Sequence, residues 1–406
     1  MFFALHMPVF GRDSRVISVV ASAHFFSHLY LLLLPPIFPL LKIDLGVSYA
    51  SLGLAVAIPN LATGMLQSPI GFLVDRFGAA RILIAGQLLM ASSIALIGVF
   101  PDYYALLALM LLAGIGNAVY HPADYSILAE CVASRRTGRA FSIHTFGGLA
   151  GFAVAPVLVV SITNWADWPV AMMVLGGLGI IHAILMIRYR HLLETPRSRE
   201  AAAPARNRPG FELLFNRPIL MALFFFLMIA TVQSGFASFS VVVLDTVKGL
   251  SLTEANLALS IFLWLSAFGV LLGGWIADVT GRHHWVAVVC FLIVAAAAMT
   301  IASTSPGGAW LGLIFALAGL AFGAVSPSRD MLVRAITPAG SSGKVFGFVT
   351  TGFNIGGLLA PPMFGALIDR GHADLVFWVV AALAMLTITS IWGASVSRKR
   401  GRLGHY

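Results

Sequence analysis

Long apolar stretches alternate along the chain with short polar or charged ones, and twelve of the apolar stretches are long enough to matter. Residues 82–99, 218–230 and 285–302 contain no acidic or basic side chain. A run of roughly 18 or more apolar residues suggests a helix that spans a bilayer. A spanning segment must satisfy its own backbone N–H and C=O groups, which favours helices, and the period-two alternation of a membrane barrel is absent. The pattern predicts spans at 16–41, 51–71, 82–100, 104–129, 140–163, 170–187, 217–243, 252–276, 285–303, 309–333, 344–368 and 375–395.

Composition excludes a soluble globule. The chain is 59% hydrophobic and 10% charged, with mean hydropathy +0.93, against about 25% charged residues in soluble domains. Met1–Arg15 leads directly into the first apolar stretch, which is too long for the h-region of a cleaved signal, so it is expected to remain as the first span. Cys131 in a loop and Cys290 in a span imply no disulfide framework.

Charge then fixes an orientation. With both termini and residues 188–216 on one side, that side holds 21 of the 25 Lys and Arg. The other side holds Lys42, Lys248 and Arg370, and Arg329 lies within a span. The positive-inside rule makes the rich side cytoplasmic, so a multi-pass protein of the inner (cytoplasmic) membrane is expected. The formal charge of +9 is thereby accounted for by the lipid bilayer as partner, and no nucleic acid is expected.

The chain repeats internally. GFLVDRFGAAR (71–81) recurs as GWIADVTGRHH (274–284), YHPADYSIL (120–128) as VSPSRDMLV (325–333), and FSIHTFGGLAGFAVAP (141–156) as FGFVTTGFNIGGLLAP (346–361), at offsets of 203 to 205 residues. The organisation expected is therefore an N-terminal six-helix bundle over 1–187, a cytoplasmic linker over 188–216, and a C-terminal six-helix bundle with a basic tail over 217–406.

The 71–81 segment resembles the loop 2–3 signature of the major facilitator superfamily: Gly71, Asp75, Arg76 and Gly78 match, Ala79 stands where a basic residue is usual, and Arg81 follows. The second copy retains Asp278, Gly281 and Arg282. The resemblance implies an all-α membrane protein, with twelve transmembrane helices in two pseudo-symmetric six-helix bundles. It also implies alternating access, with these loops forming a cytoplasmic gate. The N-terminal half is similar to the fosmidomycin-resistance type of transporter in AHFFSHLYLLLLPPIFPLL, in GIGNAVYHPADYSILAE and in the Gly-rich fifth span, where His24, His121 and Pro122 match. It departs at His28 and Ala123, where that type has acidic residues.

Ionisable groups inside a bilayer are costly and face a bundle interior or a water-filled cleft. Asp124 and Asp330 are the deep acids and Arg329 the deep base. His24 and His28 share a helical face at i,i+4, and His121, Asp124 and Tyr125 share another. A His–Asp constellation can titrate near physiological pH, so Asp124, His121, His24 and His28 are the candidates for proton coupling. Arg329 suits a carboxylate, phosphate or phosphonate. It aligns with Asp124 through the repeat and could pair with it or with Asp330. Further candidate solute contacts are Asp330, Tyr30, Tyr120, Tyr125, His144, Gln233, Trp264 and Asn354, whereas His182 suits helix packing.

No Walker A loop, nucleophile elbow or HExxH motif occurs, so neither an enzyme nor a cofactor is expected. The reading is a monomeric, proton-coupled secondary transporter, an antiporter of a small anionic or amphipathic organic solute with efflux favoured. A transition-metal carrier using His24, His28, His121 and Asp124 is the alternative.

Overall fold

The computed structural model describes residues 11–133, 136–194, 211–305, 307–338 and 342–402, and these are all-helical. In chain order the helices are α1 (Arg12–Leu31), α2 (Phe38–Leu45), α3 (Tyr49–Phe77), α4 (Ala79–Val99), α5 (Tyr103–Asn117), α6 (Tyr120–Cys131), α7 (Thr137–Trp165), α8 (Trp168–Leu193), α9 (Arg217–Thr246), α10 (Leu252–Thr280), α11 (His283–Ser303), α12 (Gly308–Ile336), α13 (Ser342–Asp369) and α14 (Val376–Arg402). They make twelve segments long and apolar enough to cross a membrane, in two pseudo-symmetric bundles of six.

Two spans are broken, and proline accounts for both. The first comprises α1, a 3-10 turn at Pro35–Ile37 and α2. Consecutive Pro35 and Pro36 lack the amide hydrogens that an α-helix would need there. The fourth comprises α5 and α6, which separate at Ala118–Val119. Pro122 cannot donate to the carbonyl of Ala118, so the ladder is interrupted one turn ahead of Asp124.

Apolarity marked only the part of each helix that lies in hydrocarbon. Helix α8 continues to Leu193 through RYRHLL, because long basic side chains extend a helix into the interfacial region. The expected linker thus begins as helix, and its residues 195–210 lie outside the described residues. At the end of the molecule away from the termini, acids serve as helix caps. Asp102 accepts from the amides of Tyr104 and Ala105, Asp167 accepts from Val170, and Glu254 completes a capping box with Ser251. These carboxylates satisfy orphan amides at helix N-termini.

The halves meet along α3 against α13 and α7 against α10. The closest joints lie at the end distal from the termini. There Asp369 of α13 accepts from the Tyr49 and Ala50 amides of α3 at 2.9 and 2.8 Å, and Lys42 lies 3.6 Å from the same carboxylate. Asn256 donates to the Pro36 carbonyl at 2.9 Å. Further along, Asn60 reaches the Gly357 carbonyl and Asn354 packs on Gly64. Nearer the termini Met65 of α3 is 68% and Phe268 of α10 49% accessible, and Phe268 meets Phe146 of α7 at 6.4 Å between centroids. The polar joints between the halves described here are concentrated at the distal end.

Candidate functional site

The N-terminal half buries a carboxylate among imidazoles. Asp124 is wholly inaccessible, with His24 and His144 at 3% and 1%. His144 Nε2 shares a hydrogen bond with Asp124 Oδ2 at 2.8 Å, and His24 Nδ1 lies 3.4 Å from the same oxygen. The two rings stack with centroids 3.8 Å apart. His28 and His121, half-buried, lie against His24 at 4.4 and 5.3 Å between centroids. Tyr125, 46% accessible, contacts His121 and His144 at 5.5 and 5.6 Å and borders the cluster on its open side.

Local packing explains the cluster. Gly148 of α7 faces α1 where a Cβ would stand 2.6 Å from His24 Cδ2 and 3.0 Å from His28 Cε1. Glycine there leaves the volume that the two rings occupy. Asp124 Oδ1 and the Nδ1 atoms of His24, His28, His121 and His144 have no hydrogen-bond partner. An unpaired buried carboxylate costs several kcal/mol or more, so this group needs its own proton, an imidazolium neighbour, or both in turn.

The same atoms bear on metal binding. Donor atoms of His24, Asp124 and His144 lie within 4.8 Å of one another. The sequence had offered His28 and His121 with His24 and Asp124, whereas the structure brings His144 to the carboxylate instead. A transition-metal bond of about 2.0–2.2 Å would require the three side chains to draw inward.

The C-terminal half places Arg329 quite differently. Its Nε donates to Asp330 Oδ1 at 2.8 Å, and its guanidinium carbon stands 4.8 Å from the Phe226 ring and 5.1 Å from the Phe353 ring. The pair with Asp124 that the repeat suggested is absent here, since each group has partners within its own half. The Asp330 side chain is 50% exposed, and an ion pair so open to solvent contributes about 0–1 kcal/mol. Each cation–π contact contributes about 0.5–2 kcal/mol, so the two rings position Arg329 at least as firmly as the acid. Neither phenylalanine is apparent as functional from its residue type. The signal was positional: Phe353 follows Gly148 by the repeat offset of 205.

Several sequence candidates have partners among the packed helices. Tyr30 and Tyr120 are each 1% accessible, and a buried phenol needs an acceptor. Tyr30 donates to the Leu175 carbonyl at 3.0 Å, and Tyr120 donates to Gln87 Oε1. Gln87, fully buried within an otherwise apolar run, also donates to the Gly179 carbonyl and had gone unnoticed. His182 shares a hydrogen bond with Ser22 at 2.8 Å. Gln233 is half-buried on α9, Asn354 lies at the α3–α13 contact, and Trp264 stacks on Phe268 at 6.2 Å.

The signature loops sit at the end of the molecule that carries the termini. Gly78, at φ 93°, links α3 to α4, and Gly281, at φ 56°, ends α10. Both are left-handed turns that favour glycine. Asp75, Arg76, Asp278 and Arg282 are exposed, and Gly71 has open space around its α-carbon. Arg81 turns away to the outer face of α4, where it lines a groove with Arg190 of α8.

The sequence profile described as Major Facilitator Superfamily matches residues 20–253 and 233–403. The fosmidomycin resistance protein of Escherichia coli (strain K12) is 25% identical over 385 residues, covering 93% of this chain and 92% of its own length. The multi-drug resistance efflux pump PmrA of Streptococcus pneumoniae is 25% identical over 361 residues, covering 86% and 88%. Among solved structures, a bacterial homolog of the human lysosomal transporter Spinster, in an inward-facing and occupied conformation, superposes with TM-score 0.78 at 16% identity, covering 95% of this chain and 97% of its own.

Proposed function

Because the chain belongs to the Major Facilitator Superfamily and is a multi-pass membrane transporter, we propose that it exports a small anionic or amphipathic organic solute in exchange for protons. The observation that carries this reading is the buried Asp124 carboxylate in contact with two imidazoles. A carboxylate in that position is either charged or protonated, and an imidazole beside it is a group with which a proton can be exchanged. Alternating access changes which side of the membrane supplies water to the cluster, so protons taken up on one side are released on the other. Arg329, a permanent cation held by two aromatic faces, offers a guanidinium fork to an anionic group.

Efflux is favoured because the two relatives described above carry resistance and efflux names. The Lys and Arg asymmetry supports the inner membrane, with both termini cytoplasmic. The gate loops would then close when the distal end opens. The boundaries 1–187, 188–216 and 217–406 remain our division of the chain, and a monomer is the functional unit we propose.

The test is flux in proteoliposomes containing the full chain, with a panel of phosphonates, carboxylates and neutral amphiphiles. A pH gradient should drive uphill movement of an anionic member and collapse of the gradient should abolish it. Uphill movement of no member, or movement indifferent to the gradient, overturns the reading. A metal-carrier reading draws on the three converging donors. It predicts divalent-metal uptake into the same liposomes, and the cationic Arg329 in the facing half opposes it.

A further inference from the structure

A groove lies between α4 and α8, away from Asp124 and Arg329. Arg81, Ile84, Ala85 and Leu88 fall at i, i+3, i+4 and i+7, one stripe along α4. Ile187 and Arg190, one turn apart near the end of α8, face that stripe across a groove of about 270 Å³. The lining between the two arginines and the bilayer interior is apolar. Ala85, the smallest member, forms the depression. Both arginines are exposed, Ile187 is 45% accessible, and the groove opens on the outer surface at the end that carries the termini.

Beyond the groove α4 and α8 pack closely: Gln87 donates to the Gly179 carbonyl at 3.3 Å, and Gly176 packs against the backbone of Ala91 and Ala95. The groove lining includes neither Asp124, Arg329 nor any residue in contact with them. Its volume also falls just below the ~300–1,000 Å³ of a site that encloses a small molecule. An occupant must be only partly enclosed and share the rest of its surface with surrounding lipid.

We propose that this groove binds an anionic phospholipid of the leaflet at the terminal end, with the headgroup phosphate between Arg81 and Arg190 and the first part of an acyl chain along Ile84, Ala85, Leu88 and Ile187. Charge complementarity selects the occupant. Arg81 of α4 and Arg190 of α8 line one apolar slot, and basic pockets between transmembrane helices hold anionic headgroups. A topological anchor needs positive charge only, and needs neither a second helix nor the slot. Arg81 stands three residues after Gly78 at the start of α4, so the bound lipid would brace the signature loop from outside.

The experiment uses the purified full chain in detergent, titrated with phosphatidylglycerol and followed by native mass spectrometry and thermal unfolding. Phosphatidylcholine of the same chains and inorganic phosphate are the comparators. Bound phosphatidylglycerol should persist and raise the unfolding temperature, since a ligand selective for the folded state stabilises it. Arg81→Gln with Arg190→Gln should weaken its apparent affinity by about tenfold, a loss of ~1.4 kcal/mol. Ala85→Phe, which fills the slot and keeps both charges, should weaken it similarly, and Arg188→Gln, two residues before Arg190 and outside the groove lining, should not. Equal binding of phosphatidylcholine, equal protection by inorganic phosphate, or unchanged binding in both the double variant and Ala85→Phe would overturn the proposal.

Discussion

The two halves carry an ionisable group at matching points of the repeat, Asp124 buried and Arg329 half-buried, and surround it with opposite chemistry. Asp124 and Arg329 are 205 residues apart. A Cβ on Gly147 would meet the Ala21 carbonyl at 2.7 Å, and one on Gly352, 205 residues later, would meet the Leu223 carbonyl at 2.5 Å. Helices α1 and α9 therefore correspond at an offset of 202, which sets His24 opposite Phe226. Phe353 takes the place of Gly148. In one half two imidazoles lie on a carboxylate, and in the other two phenyl rings lie on a guanidinium. An imidazole gains and loses protons, a phenyl ring does not, and an arginine stays charged. On the proposed function, the variable charge belongs to the N-terminal half and the constant one to the C-terminal half.

The largest effect should come from making the variable charge constant. Asp124→Asn keeps the volume and an acceptor for His144 but cannot ionise. Gradient-driven accumulation in proteoliposomes should fall at least tenfold, while solute exchange without a gradient persists. Undiminished accumulation would assign coupling elsewhere, with His24 and His28 as the next groups to replace. The converse change, Arg329→Lys, keeps the charge but loses the planar fork and its stacking on Phe226 and Phe353. Solute affinity should weaken by about tenfold, a difference of ~1.4 kcal/mol, with the dependence on the pH gradient retained. Loss of gradient dependence in Arg329→Lys would end the division of labour between the halves.

A smaller effect should follow from making the N-terminal half resemble its counterpart. Gly148→Ala puts a methyl group 2.6 Å from His24, and overpacking of this kind costs about 1–3 kcal/mol. The unfolding temperature should drop by a few degrees and gradient-driven transport by a few-fold. An unchanged variant would mean that the glycine does not set the position of the His24 ring.

Sequence made the fold legible because its signals are cumulative: twelve apolar runs, one charge asymmetry and three repeat segments agree. Asp124, Arg329 and the histidines stood out since ionisable residues in a span are rare. Their partners were less legible. His144 shares no helix with Asp124, and only the glycine-lined contact of α1 with α7 brings it within 2.8 Å. Tyr30 and Tyr120 looked like candidates for the cleft, yet a helical face does not reveal whether it meets water or another helix. Phe226 and Phe353 were hidden among 29 phenylalanines. Asp369 was hidden because its work is done across 320 residues of chain.

Asp369 belongs to neither half's chemistry, and that makes it the sharpest control on the comparison. It joins the halves at the distal end by accepting two amides from the first turn of α3, beside Lys42. The Lys42 pair, with side chains 41% and 20% exposed, contributes about 0–1 kcal/mol. A hydrogen bond to a charged group contributes about 1.5–3 kcal/mol, and the negative charge also complements the helix N-terminus. Asp369→Asn keeps one acceptor and loses the charge, so the closed distal end should lose roughly 1 kcal/mol relative to its open form, a shift of about fivefold. Spin labels at Tyr104 and Trp310, exposed on the distal ends of the two halves, would report the shift as added weight at longer distances. Solute affinity and gradient dependence should survive, because neither Asp124 nor Arg329 is touched. An unchanged distance distribution would show that the carboxylate merely caps α3. A lost gradient response would show that coupling is not confined to the imidazole cluster.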